Sequence, residues 1–148
     1  MTLKVRIQDD MKSAMRAGEK DKLANIRMLM AAIKQREVDE RIELDDAQVL
    51  SVIDKMVKQR RESITQFEAG GRADLVARET AEMQLLSAYL PAQLSGAELE
   101  ALIGEIIAAT GANSIKDMGK VMAAIKARAA GRVDMGAVGA RIKARLSA

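Results

Sequence analysis

Apolar residues recur along this chain at intervals of three and four, the spacing that gathers one face of an α-helix. Leu3, Ile7, Met11 and Met15 form a first stripe that ends near Gly18. Leu23, Ile26, Leu29, Met30 and Ile33 form a second, running on toward Ile42. A third begins at Asp45, where Gln48 completes an Asp-x-x-Gln capping box and Leu44 is placed to staple onto Val49. It continues through Ile53, Met56, Val57, Ile64 and Phe67 and stops at Gly70-Gly71. A fourth, from about Ala73 to Ser87, carries Leu75, Val76, Met83 and Leu86.

Tyr89-Leu90-Pro91-Ala92-Gln93-Leu94 then breaks the pattern, because proline disfavours helical geometry at the residue before it. Three glycines precede this break and seven follow it. The expected domains are therefore residues 1–90 and 91–148. The second opens on Ser95, with Glu98 closing another capping box and Leu94 stapling to Leu99. Its stripes are Leu99, Leu102, Ile103, Ile106 and Ile107; then Met118, Val121, Met122 and Ile125 on a helix near residues 117–129; then Met135, Val138, Ile142 and Leu146 behind an Asp134 cap. Short helices of this kind bury their faces only against one another. The pattern predicts an all-α protein: about four N-terminal helices followed by a small three-helix bundle.

Composition narrows the chemistry. Histidine and cysteine are absent, so there is no disulfide, thiol nucleophile, imidazole base or Cys/His zinc site. No metal and no cofactor is expected. No apolar run reaches the roughly 20 residues that cross a bilayer, so no membrane partner is expected. Lack of cysteine fits a reducing compartment. Met1-Thr2-Leu3-Lys4-Val5-Arg6 lacks the apolar centre of a secretory signal, and Asp9 and Asp10 argue against a mitochondrial presequence. The expected location is cytoplasmic.

Charge is unevenly spread. Residues 1–90 hold 16 bases and 16 acids, residues 91–110 hold three acids and no base, and residues 111–148 hold eight bases against Asp117 and Asp134. The basic set is Lys116, Lys120, Lys126, Arg128, Arg132, Arg141, Lys143 and Arg145. Arg141 and Arg145 share a helix face, where like charges repel unless an anion answers them. Two readings stay open for this set, general solubility and an external polyanion.

Other candidates weigh less. Lys58-Gln59-Arg60-Arg61 reads as a solvated face, given Asp54 and Glu62 nearby. Gly136-Ala137-Val138-Gly139 matches the loop that clamps nucleotides in KH domains, but that module needs a sheet and no strand is readable here. Gly104, Gly119, Gly136 and Gly139 lie inside helical patterns, each costing about 1 kcal/mol against alanine, and close helix packing is the expected reason. Asp45 and Asp46 point apart on a helix start, which disfavours a paired-carboxylate site. One Phe and one Tyr cannot stack many bases, so single-strand readers are excluded, while recognition of folded RNA through shape and phosphates stays open.

Residues 29–33, Lys58-Gln59-Arg60-Arg61-Glu62-Ser63-Ile64-Thr65-Gln66-Phe67, Tyr89-Leu90-Pro91 with Gln93-Leu94-Ser95, and Asp117-Met118-Gly119-Lys120-Val121-Met122 together resemble the GatB/YqeY family. The likeness spans nearly the whole chain. It implies a C-terminal domain similar to the tail of the B subunit of glutamine-dependent aminoacyl-tRNA amidotransferase, where the tail is a tRNA-contacting appendage remote from the chemistry. It also implies a link to a carbon–nitrogen ligase with glutamine as amido-N-donor, although no autonomous catalytic constellation is present. Family tails often carry a second glycine where this chain has Ala123, and longer side chains where it has Gly136-Ala137-Val138-Gly139. The leading expectation is a tRNA-associated accessory protein that binds RNA backbone through the eight basic residues. The alternatives are a module docking a protein partner such as an amidotransferase subunit, or a participant in amide transfer within a larger assembly.

Overall fold

Each apolar stripe becomes a helix in the computed structural model, which describes residues 1–129 and 131–147. The described residues are all-α, with no strand. They divide into two compact units, Met1–Leu90 and Pro91–Ala148, each around its own apolar cluster.

The first unit holds α1 (Leu3–Ala17), α2 (Lys20–Glu40), α3 (Asp46–Ala69) and α4 (Ala73–Ser87). Thr2 caps α1 by accepting from the Val5 N–H, and the Asp46 carboxylate accepts the Leu3 N–H at 2.9 Å. Gly18 turns the chain in a left-handed conformation (φ 72°) and closes the helix through its N–H to Ala14 and Met15. Asp45 and Gln48 form both halves of the capping box that starts α3. The core is built from Ile7, Ile26, Leu29, Val49, Ile53 and Leu86, all fully buried. Burying a side chain of this size stabilises the fold by about 1.5–3 kcal/mol.

Two stripe assignments are corrected. Met15 is exposed, and Ala14 fills the buried position because it lies seven residues from Ile7, two turns along the same face. The second stripe does not reach Ile42 as helix. Arg41 adopts φ 55°, the left-handed region, its N–H and that of Ile42 both bond to the Glu37 carbonyl, and α2 ends at Glu40.

Polar groups cross this core. Tyr89 packs into the first unit and donates its hydroxyl to Asp10 at 2.5 Å, while the Arg6 guanidinium lies 5.0 Å from its ring centre. Burial and the neighbouring Asp10 push the Tyr89 phenol well above its ordinary range. The Lys58-Gln59-Arg60-Arg61 run splits. Lys58 pairs with Asp54, but Arg60 turns inward and bridges to Glu79 and Glu82 of α4, each at 3.1 Å. Asn25 is buried and donates to the Glu82 carbonyl, tying α2 to α4.

The second unit holds α5 (Gly96–Thr110), a 3₁₀ turn (Ile115–Asp117), α6 (Met118–Arg128) and α7 (Met135–Leu146). The helix expected near residues 117–129 is thus preceded by a tighter turn. Ser95 and Glu98 form both halves of the α5 capping box, and Asp134 accepts from the Gly136 N–H at the start of α7. Ile103, Val121, Ile125, Val138 and Ile142 are fully buried at the centre. The segment before α5 is clasped to the α6–α7 loop: Leu94 N–H to the Arg132 carbonyl (2.9 Å), Arg132 Nε to the Ala92 carbonyl (2.9 Å) and Gln93 to the Gly131 carbonyl (2.7 Å).

Candidate nucleic-acid interface

The eight basic residues of the second unit part into arginines with internal partners and lysines without. On α5, Gly96, Glu100 and Gly104 follow one another at intervals of four and so line one face. Arg141 and Arg145 of α7 lie along that row. Arg141 pairs with Glu100 at 2.9 Å, while Arg145 donates to the Glu100 carboxylate (3.3 Å) and to its backbone carbonyl (3.1 Å). Glycine gives the Arg145 head group room at position 104, whereas at position 96 a side chain would make only ordinary contact. A Cβ at Gly104 would stand 3.0 Å from the Arg145 guanidinium, and one at Gly96 would stand 3.5 Å from that of Arg141.

The expectation that Arg141 and Arg145 lack acidic partners is therefore corrected: Glu100 sits between them. The hydrogen bond from Arg141, with help from Arg145, holds the Glu100 carboxyl below the usual range against the cost of its partial desolvation. Arg128 pairs with Glu105 at 3.1 Å. Arg132 is spent on the clasp to Ala92, and its charge supports the lowered pKa of Glu98, which rests first on the Ser95 N–H and hydroxyl.

Lys116, Lys120, Lys126 and Lys143 are exposed and form no ion pair with the described residues. Lys116 and Lys120 stand four apart across the start of α6, whose first turn has no acid and no side-chain cap. Gly119 lies between them. It is exposed, and a Cβ there would meet nothing within 4 Å, so packing gives no reason for this glycine. Gly139 faces the Met118 and Met122 side chains at ordinary contact distance. Lys143 lies one turn beyond Gly139 on α7.

The geometry offers cations and backbone to an anion, with the Asp117 carboxylate beside Lys116 accepting from the Asn113 N–H. Among the described residues no three acidic side chains gather as a metal site, and no helix is long and apolar enough to cross a membrane.

These features define an all-α module that presents lysine charge outward from a small bundle. The chain belongs to the family described as Yqey-like protein, which it matches over residues 4–146. Curated relatives carry the name "Altered inheritance of mitochondria protein 41, mitochondrial". The protein of Eremothecium gossypii is 45% identical over 87 residues, covering 58% of this chain and 48% of that relative. The protein of Lachancea thermotolerans is 33% identical over 105 residues, covering 68% and 56%. That of Saccharomyces cerevisiae S288c is 33% identical over 95 residues, covering 64% and 51%. The chain thus spans about half the length of the curated relatives it matches.

Those names place the relatives in mitochondria and overturn the expectation of a cytoplasmic protein. Missing cysteine excludes a disulfide framework rather than naming a compartment, and the charges at Asp9 and Asp10 do not decide one.

Proposed function

We propose that the chain is an RNA-associated accessory protein whose second unit contacts the phosphate backbone of a structured RNA, with tRNA as the preferred class. The observation that carries this reading is the division of the basic set. Arginines are consumed inside the unit, while Lys116, Lys120, Lys126 and Lys143 are left to an external anion. Gly119 adds to it, since an exposed glycine in the first turn lets a phosphate approach the backbone between Lys116 and Lys120. The resemblance to an amidotransferase tail supports tRNA over other structured RNA. The curated relatives' name speaks of inheritance of mitochondria and names no ligand, so the reading stands on this chain's own residues and that resemblance. Any part in glutamine-dependent amide transfer comes through a larger assembly: Asp45, Glu98 and Asp134 serve as caps, and Glu37, Glu79, Glu82 and Glu100 hold cations.

Anisotropy of labelled tRNA against salt concentration tests it. Each neutralised phosphate releases condensed counterions, so about four contacts give a log–log slope of roughly −3. Replacing all four lysines by glutamate should flatten that slope and abolish binding, with the melting curve unchanged. The matched control replaces Lys12, Lys20, Lys55 and Arg61 of the charge-balanced first unit. Equal loss from both sets, or no binding at low salt, would refute the assignment.

A further inference from the structure

We propose that Met28 is a sulfoxidation site, at which oxygen taken from a hydroperoxide is held by Arg60 and pins α2 to α3. The Met28 side chain is 50% exposed, so a small oxidant reaches its sulfur from solvent. Arg60 of α3 stands beside it, with its two terminal nitrogens turned to different tasks. Nη1 serves the Glu79 and Glu82 carboxylates of α4, each at 3.1 Å, while Nη2 points to Met28 Sδ at 3.8 Å.

A thioether is a weak acceptor, so the link from Arg60 to α2 is the weakest of the three. Oxidation changes that. The Sδ lone pair attacks one peroxide oxygen, and the S–O bond forms as the O–O bond breaks. The proton passes to the departing oxygen, which leaves as water or an alcohol. Sulfur is oxidised by two electrons and the hydroperoxide is reduced by two. The sulfoxide oxygen carries negative charge and accepts strongly from a cation. Across the 3.8 Å between Sδ and Nη2, an N–H···O bond of about 2.9 Å closes a bent S–O···N path without moving either helix. The Arg60, Glu79 and Glu82 side chains are only 16–21% exposed, so the new bond lies where salt screens weakly.

This geometry sets Met28 apart from other methionines of the first unit. Met11, Met30, Met56 and Met83 pack against the core, where a sulfoxide would set a polar oxygen among apolar side chains. Met15 is as exposed as Met28, at 51%, but among the described residues no guanidinium is bonded to its sulfur. It is the matched control.

The test uses the full chain and hydrogen peroxide, read by peptide mass spectrometry and by thermal melting. Limited peroxide should oxidise Met28 and Met15 ahead of the packed methionines. Met28→Gln sets an amide oxygen beside Arg60, and glutamine, methionine and leucine have nearly equal helix propensity. It should melt about 4 °C above Met28→Leu, the size of one added hydrogen bond in a unit of this length. Met15→Gln should match Met15→Leu. In an Arg60→Leu background the gain from Met28→Gln should vanish; if that background does not fold, the Met28 and Met15 pairs still decide. Four results would each overturn the proposal: Met28 left reduced while Met15 is oxidised, no gain from Met28→Gln, an equal gain from Met15→Gln, or a gain that survives the loss of Arg60.

Discussion

The two units use charge in opposite ways. In the first, polar contacts lie inside the helix packing: Arg60 reaches Glu79 and Glu82 with side chains 16–21% exposed, Lys4 meets Glu37, and Tyr89 meets Asp10. In the second, the ion pairs lie near the surface, with side chains 40–62% exposed, and four lysines pair with no acid among the described residues. Exposed pairs contribute little to stability and are screened by salt, whereas half-buried ones resist screening. The first unit's charges therefore hold helices together. In the second unit Arg128, Arg141 and Arg145 are paired near the surface, and the excess of positive charge lies on the four exposed lysines.

The sharpest way to break this contrast is to hollow each core separately. Ile53→Ala and Ile142→Ala each remove a fully buried side chain and should cost about 2–5 kcal/mol. If the units fold independently, as their separate clusters suggest, each substitution should lower one thermal transition and leave the other in place. Calorimetry showing a single transition lowered by both would mean that the units melt together.

Helix existence was legible because every stripe keeps the apolar period, and the capping boxes of Asp45 with Gln48 and Ser95 with Glu98 form as read. The end of α2 was hidden because Arg41 occupies a position where glycine or asparagine would have announced the stop. Arg60 was misread from its own neighbours. In an antiparallel helix pair, residues equidistant from the turn face one another, and Arg60 and Glu79 lie about equally far from Gly70. That signal was available, but only after the hairpin had been assumed. The Glu100 link to Arg141 and Arg145 had a fainter trace, the row Gly96, Glu100, Gly104. Its partner helix is set by how α5 and α7 meet, which local pattern does not encode. The sequence shows the lysines only as charge and does not separate them from the arginines, because the pairing depends on how the helices meet.

A middling effect should come from Tyr89→Phe, which leaves the ring packed and removes the bond to Asp10. The expected loss is about 1.5–3 kcal/mol, the range for a hydrogen bond to a charged group. Tyr89 is the chain's one tyrosine, so phenolate absorbance reports it alone. Its folded pKa is raised, so the phenol's stabilising contribution is complete below the ordinary value near 10 and is lost as pH rises through the folded value. Alkaline titration should therefore show delayed phenolate formation that coincides with unfolding of the first unit. Titration at the ordinary value with the fold intact would mean that the Asp10 contact does not persist in solution.

The smallest effect belongs to the arginine row, and it separates arginines from lysines most directly. Glu100→Gln removes the anion shared by Arg141 and Arg145 while keeping the length of the side chain. Glu100 has a lowered folded pKa, so the link's contribution is present above the ordinary carboxylate value and fades as pH falls through the folded one. The melting temperatures of the variant and the unaltered protein should differ slightly at neutral pH and low salt, and converge in acid or at high salt. Lys120→Gln should match the unaltered protein at every pH, because Lys120 holds no acid. On tRNA the order should reverse, with Lys120→Gln reducing the salt slope by about one contact and Glu100→Gln leaving it unchanged or freeing two arginines to bind more tightly. A stability loss from Lys120→Gln equal to that from Glu100→Gln would show that lysine and arginine do the same work in this bundle, and the division between them would fall.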